Sequence, residues 1–380
     1  MKAFNFLFAA LILWLLLLVT SLNKPISAAA ADVSPHQTAH EGITNWISAA
    51  DPRFRFEGRF DFSDSNAPVV IWQASRISLD FSGDSIHLLF DDAKGQCFFN
   101  VEVDGSNTVV EVLEGKPANP AIVSWLGAGR HHLTIFKRSE ADAGTVRFRG
   151  IEIGPTAKAW ASPKISYKLK MEFFGDSVTV GACNEDGAAD QWDNRRTHNS
   201  AFSYTALTAA AFSADYRNIA VSGMGIATGW VKPKAGEIWD RLYPKPTSPR
   251  ADLSQWTPQI VFVNFGENDA SFPQAHAQPF PTNFTAGYVS LVQAIRQAYP
   301  AAEIVLLRGG MFNGAKSEPL RHAWESAVTQ SEAADTGVSH FVFQHWPGNE
   351  NHPRLADDRA MADELIAWLK VQKFMQPFRS

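Results

Sequence analysis

Leu169-Lys170-Met171-Glu172-Phe173-Phe174-Gly175-Asp176-Ser177-Val178-Thr179 is an apolar run that stops at a glycine and then presents an acid and a hydroxyl. A buried strand with that ending suits a parallel α/β sheet, in which ligands bind outside the carboxyl ends of the strands. Ser177 is therefore a candidate nucleophile, and its reading depends on whether the rest of the chain supplies a base and oxyanion donors.

The residues downstream alternate strand and helix patterns. Tyr216–Val221 reads as a second strand, ending in Ser222-Gly223-Met224-Gly225. Pro258–Phe265 is a third, ending in Gly266-Glu267-Asn268-Asp269. Ala302–Leu307 and His340–Phe343 follow as strands. Helices are expected over Ala201–Ala214, Phe284–Tyr299, Leu320–Ser331 and Asp357–Lys370, and Pro300 stops the second of these. Alternation of this kind implies a mostly parallel sheet with helices on both faces. Asn351-His352-Pro353 precedes the last helix, so the strand ends and His352 are expected along one sheet edge.

Upstream the period changes to two. Arg53–Phe62, Ser78–Phe81, Ile86–Phe90, Phe98–Val103, Val109–Leu113, His132–Lys137 and Thr145–Ile153 read as short strands, with Asp104-Gly105 as a hairpin turn. This half is expected to be an all-β sandwich over residues 32–155. Residues 156–164 form a linker, and 165–380 the α/β domain. His131 and His132 adjoin on a strand and so face opposite ways, which argues against a shared metal site.

Lys2, the apolar run Phe4–Val19 and Ser27-Ala28-Ala29-Ala30-Ala31 describe a secretory signal peptide over residues 1–31, with a retained anchor as the alternative. The protein is then exported, to the periplasm or beyond. A net charge of -5 without a basic tract argues against nucleic acid and anionic membrane as partners. Cys97 and Cys183 are the only cysteines, too few for a disulfide framework or a structural zinc site, and are expected to be separate thiols.

Acyl transfer needs a hydroxyl nucleophile, an imidazole to take its proton, and oxyanion donors. Ser177 and His352 fill the first two roles. The backbone N–H groups of Ser177 and Gly223 and the side-chain amide of Asn268 fill the third. Asp176 and Asp269 read as braces for the loops. His345 and His198 are titratable rivals to His352. Trp346, Trp192 and Trp230 are candidate platforms for sugar rings. A Gly-x-Ser-x-Gly elbow is missing, so the α/β-hydrolase reading lacks its motif.

Gly175-Asp176-Ser177, Ser222-Gly223, Gly266-Glu267-Asn268-Asp269 and His352-Pro353, in that order, resemble the four blocks of the SGNH (GDSL-type) hydrolases. Arg59-Phe60-Asp61-Phe62-Ser63, Phe99–Gly105 and Lys137-Arg138-Ser139-Glu140-Ala141 are similar to carbohydrate esterase family 2. The resemblance covers nearly the whole mature chain. It implies a jelly-roll β-sandwich joined to a flavodoxin-like, three-layer SGNH domain. It also implies a metal-free and cofactor-free serine esterase that removes O-acetyl groups from plant-type polysaccharides, and the expected state is a monomer. Two other readings share the chain: a short-chain esterase or lipase of the same fold, and a glycan-binding module whose esterase site has decayed.

One position departs from the pattern. SGNH enzymes usually carry Asp three residues before the histidine, and here Asn349 stands there. Glu350 or a backbone carbonyl ranks above Asn349 for orienting His352, because an imidazolium favours an anion or an aligned carbonyl dipole.

Overall fold

The computed structural model describes residues 45–378 except 118–120, 124–125 and 128. The leader assigned to residues 1–31 lies outside the described residues. Among those described, no helix is long and apolar enough to cross a membrane.

The first half is all-β and antiparallel. Its axis is one 19-residue strand, Ser85–Val103. Its first part pairs with Gly144–Ile153, and its last part pairs with Ser106–Leu113 and Arg130–Lys137. The chain turns between those parts where Asp92 and Gly95 take positive φ. Sequence patterning resolves this as two strands because the bend interrupts the apolar alternation. The continuous strand links both faces of the sandwich, and Leu79, Phe81, Leu88, Phe99, Val101 and Phe148 fill the space between them. The Asp104-Gly105 turn has positive φ at both residues, as a two-residue hairpin requires. His131 and His132 do part company: Nδ1 of the first meets Asp104 at 2.6 Å and Nδ1 of the second meets Asp80 at 2.7 Å.

The second half carries a five-stranded parallel sheet. From edge to edge it runs Asp215–Ala220, Lys170–Gly175, Ile260–Asn264, Glu303–Arg308 and Val338–Val342. The order by chain position is 2-1-3-4-5, the flavodoxin-like winding, whose ligand crevice opens where the first and third strands diverge. Alternate residues of the central strands face opposite layers. Val261, Val263, Ile304 and Leu306 pack on Phe284–Ala298 and Glu318–Ala334 through Tyr288, Leu291, Ile295 and Trp324. Phe173, Phe262, Val305 and Leu307 pack on Tyr204–Ala211 and Leu355–Val371 through Tyr204, Met361, Leu365 and Leu369. Each such buried side chain contributes about 1.5–3 kcal/mol.

The expected linker is not a free tether. Ala159–Trp160 pairs with Phe81 and Asp80 as an edge strand of the sandwich. The two halves are also locked together. Ile71 and Trp72 of the first half sit in the same core as Phe174 and Trp239 of the second. The fully buried guanidinium of Arg59 bonds Glu172 at 3.1 Å and the carbonyls of Trp239 and Arg241 at 2.9 Å. Gln73 donates to Asn218 and to the Ala220 carbonyl, at the end of an edge strand of the sheet. The described halves accordingly belong to one compact unit. Periodicity divides the chain into two domains and a linker because it shows where a pattern changes, not how much surface the two patterns share.

Candidate active site

In register, Gly175 lies level with Ala220 on one side and Asn264 on the other. The residues that follow these three strand ends are Asp176-Ser177, Ser222-Gly223 and Glu267-Asn268, so the sheet itself gathers three of the expected blocks. Gly175 is required by close approach: a Cβ there would lie 2.0 Å from Thr179 Oγ1. Asp176 caps the four-residue helix Ser177–Val180, accepting from Val178 N–H at 3.2 Å. Ser177 is thereby held as the first helical residue, with 4% of its surface exposed.

Two backbone donors beside it are uncommitted. Among the described residues, no partner accepts from the N–H of Ser177 or of Gly223. Gly223 has φ +78°, a left-handed conformation that a side chain would strain, and its carbonyl accepts from Trp230 N–H at 2.8 Å. Asn268 differs from the expectation in one respect. Its Nδ2 donates to Asp176 Oδ2 at 3.1 Å and to the Met224 carbonyl at 3.0 Å, so both of its protons have internal acceptors. It ties the three strand ends together, and reaches an oxyanion only by sharing the proton that now serves Met224.

The bracing role expected of Asp269 is borne out. Its carboxylate accepts from the N–H groups of Ile226, Ala227 and Thr228 at 2.7–2.9 Å, shaping the loop after Gly223. Asp176 is fully buried beside Glu267 and Asp269, and burial reinforced by those charges raises its carboxyl well above the ordinary range. A buried acid of that kind is structural rather than a base at the reacting centre.

His352 supplies the correction. Its Nδ1 meets Asp190 Oδ2 at 2.6 Å, and its backbone N–H also points at that carboxylate, 3.2 Å from Oδ2. Glu350 is solvent-exposed, and Asn349 accepts from Asn351 N–H at 2.9 Å. Neither takes the orienting position that the sequence assigned among residues next to the histidine. Asp190 comes instead from the loop after the Ser177 helix. Its other oxygen accepts from Arg354 Nη1 at 2.8 Å. Arg354 is itself fixed by the carbonyls of Gly187, Cys183 and His352 at 2.9–3.1 Å. Burial works to raise the Asp190 carboxyl, but hydrogen bonds and charge from His352 and Arg354 outweigh it and hold the group well below the usual carboxylate range. An ionised acid therefore faces Nδ1 and leaves Nε2 as the free ring nitrogen. No hydrogen bond joins His352 to Ser177 among the described residues.

The rival histidines are occupied elsewhere. His345 Nε2 meets Asp357 at 2.8 Å. His198 is fully buried, and burial, with Arg195 and His352 nearby, pushes its imidazole down to about 3. Of the tryptophans, Trp192 lies with its ring 5.5 Å from that of His352, tilted by 30°, with Arg195 stacked on it at 4.4 Å. Trp230 is beside Gly223, half exposed, its Nε1 donating to Ser271 at 3.1 Å. Trp346 packs on Phe312 and Lys316 rather than on His352. A hollow of about 230 Å³ opens next to His352, lined by Gly187, Pro347, Asn349, Asn351 and Arg354.

Among the described residues, one trio offers metal-ligand atoms within 4.8 Å of one another: Cys183, Asp190 and His352. It suits a metal poorly. Asp190 is already shared between His352 and Arg354, and burial raises the Cys183 thiol far above its ordinary range, which opposes the thiolate a metal would take. Cys97 and Cys183 are both buried free thiols, in different halves as expected.

Comparison with known proteins agrees with the two-part fold. Residues 56–163 match the carbohydrate esterase 2 N-terminal family, and residues 173–366 match the GDSL-like lipase/acylhydrolase family. The chain is 30% identical over 328 residues to an acetylxylan esterase / glucomannan deacetylase of Cellvibrio japonicus, with 82% of this chain and 88% of that protein covered. The chain belongs to carbohydrate esterase family 2. A second relative, cellulase/esterase CelE of Acetivibrio thermocellus, is 33% identical over 84% of this chain, which spans only 39% of that longer protein. The solved structure of a family two carbohydrate esterase from Clostridium thermocellum, in complex with cellohexaose, aligns at TM-score 0.76 and 32% identity, covering 83% of this chain and 98% of that one. Within this family the chain is an esterase-type hydrolase with both expected folds in the expected order.

Proposed function

We propose that this family 2 esterase is an exported carbohydrate O-deacetylase, acting as a monomer on acetylated plant-type polysaccharides through an acetyl-serine intermediate. The observation that carries the reading is an imidazole held at Nδ1 by an ionised acid from the loop that follows Ser177, with two N–H donors, of Ser177 and Gly223, left uncommitted after neighbouring strand ends. Ser177 Oγ attacks the acetyl carbonyl and passes its proton to His352 Nε2. The N–H groups of Ser177 and Gly223 receive the oxyanion, joined by Asn268 Nδ2 as it shares the proton directed at Met224. Asp190 stabilises the imidazolium. His352 then returns the proton to the departing sugar oxygen, and acetyl-Ser177 remains. Water, deprotonated by His352, attacks that ester, and acetate leaves as Oγ regains a proton. The bond between Oγ and Nε2 has to form as substrate seats, a tightening common to unliganded sites.

Names of the relatives support a sugar as the acyl carrier, and Trp192 beside His352 suits a sugar platform. Lipase action and a decayed binding site are weaker readings. The absent acid at 349 motivates the decayed site, and Asp190 removes that motive.

The test is acetate release from acetylated xylan, acetylated glucomannan and an aryl acetate, with long-chain esters alongside. Ser177→Ala is expected to lose most of the rate, by a factor of roughly 10³ or more, while retaining residual turnover from the oxyanion donors. Full activity in that variant overturns the serine mechanism, and a preference for long-chain esters overturns the sugar assignment.

A further inference from the structure

Glu140 belongs to the β half yet reaches into both sides of the catalytic centre. Its backbone continues from the strand Arg130–Lys137 and is pinned on either side. Phe98 N–H donates to Ser139 Oγ at 3.0 Å, Ala141 N–H donates to Gln73 at 3.1 Å, and the buried ammonium of Lys137 donates to the Glu140 carbonyl at 3.0 Å. The side chain is 1% exposed. One carboxylate oxygen accepts from Ser222 N–H at 2.9 Å. The other accepts from Arg195 Nη1 at 3.0 Å and stands 3.9 Å from His198 Nδ1. Arg195 stacks on Trp192, which lies against His352.

The first of these contacts bears on catalysis. Gly223 N–H, an uncommitted oxyanion donor, belongs to the peptide that joins Ser222 to Gly223. The peptide before it is held by Glu140 through Ser222 N–H. The peptide after it is held through the Gly223 carbonyl by Trp230 N–H at 2.8 Å. With both neighbours fixed, the direction of the donor between them is fixed as well. Without Glu140 the peptide before it keeps only the longer bond that the Val221 carbonyl accepts from Met224 N–H at 3.3 Å. A donor that must be aimed where charge will develop loses its effect when it can swing.

We propose that Glu140 is a positioning residue of the esterase, supplied by the β half, which sets the Gly223 oxyanion donor by holding Ser222 N–H. This rests on the reading of Ser177 and Gly223 given above. It also makes the β half part of the catalytic apparatus rather than only a neighbour of it.

Two substitutions in the full chain separate this from a role in charge or packing. Glu140→Asp keeps the charge but withdraws the carboxylate by about 1.5 Å, breaking the Ser222 bond. Glu140→Gln loses the charge but keeps the reach and one acceptor oxygen, while Arg195, which is part-exposed, turns to solvent. Glu140→Asp is expected to lower kcat on an aryl acetate roughly 10- to 100-fold, and Glu140→Gln by less than about fivefold. Inhibition by a short alkylboronic acid, which forms a tetrahedral adduct on serine, should weaken in Glu140→Asp by the same factor as kcat/KM. Binding of a deacetylated xylo-oligosaccharide should not change. Wild-type kcat in Glu140→Asp, equal losses in the two variants, or loss of oligosaccharide binding in step with kcat overturns the proposal. Ser177→Ala is run beside them. Its inactivity together with an unimpaired Glu140→Asp refutes the positioning role alone, whereas its full activity refutes the serine mechanism on which that role depends.

Discussion

Replacing Asp190 by Asn should damage catalysis more than deleting its side chain, and the reason lies with Arg354. The carboxylate presents one oxygen to His352 Nδ1 at 2.6 Å and the other to Arg354 Nη1 at 2.8 Å. An amide has one oxygen. A guanidinium can only donate, so the amide oxygen must turn to Arg354 and the NH2 to His352. Nδ1 is then forced to accept, the ring proton moves to Nε2, and the nitrogen that must take the Ser177 proton no longer can. In serine proteases an Asp-to-Asn change that imposes this wrong tautomer costs about 10⁴ in kcat, equivalent to about 5.4 kcal/mol. Asp190→Ala removes the anion but leaves the tautomer free, so a loss of roughly 10² is expected. Adding Arg354→Met to Asp190→Asn frees the amide to flip and should recover part of the rate, although Arg354 also ties down its loop. Initial rates of acetate release from an aryl acetate and from acetylated xylan, on variants with native circular dichroism, measure all of these. The reasoning is refuted by Asp190→Asn retaining kcat within about threefold of wild type, or by Glu350→Gln, expected to be silent, producing the large loss instead.

Trp192→Ala should raise KM for acetylated xylan roughly five- to tenfold while leaving kcat on an aryl acetate within about threefold, because an aromatic platform beside His352 serves the sugar and not the acetyl group; equal KM values on the polysaccharide would remove Trp192 from the binding surface. Burial raises the Glu267 carboxyl to about 7, against bonds from the Gly314 and Met311 N–H groups and charge from Arg308. The folded protein thus keeps a proton there that the unfolded chain releases near 4.5, so this group makes stability fall as pH rises from about 4.5 to about 7, by at most about 1.4 kcal/mol per pH unit. Glu267→Gln should flatten that part of the slope in denaturant melts at pH 5, 6 and 7, and superimposable slopes for the two proteins would show that Glu267 is ionised throughout.

The strand ends were legible because each carries its chemistry next to its own fold signal. Phe173-Phe174 runs into Gly175-Asp176-Ser177, and Phe262–Phe265 into Gly266–Asp269, so that a buried run and a functional turn are read together. Asp190 carries no such signal. It sits in a polar loop with Glu185, Asp186 and Asp193 near it, and nothing local distinguishes the acid that meets His352 from those that do not. Its selection depends on Arg354, which lies 164 residues away and closes the geometry only in three dimensions. In the sequence nothing distinguishes Trp192 and Trp230 from Trp346, and only packing sets the first two against His352 and Gly223 and the third against Phe312 and Lys316. The depth of contact between the halves was hidden for the same reason, since Arg59, Gln73 and Glu140 look like ordinary polar residues of the β half until their buried partners are known.

Where the relay acid resides changes what the site depends on. An acid three residues before the histidine would move with it as one short loop. Here Asp190 and Ser177 share the segment 176–199, and His352 lies more than 150 residues later. Two clamps keep that segment in place. Arg354 joins it to the histidine loop from one side. From the other side the β half holds it, through Arg138 to Glu185, Asn100 Nδ2 to Asn199 at 3.1 Å, and Glu140 to Arg195 at 3.0 Å. The distance between Asp190 and His352 is thus set partly by residues of the β half, and the distance between Ser177 and Gly223 partly by Glu140. A site assembled in this way needs both halves to hold its geometry, which gives the extensive buried polar contact between them a catalytic reason as well as a structural one.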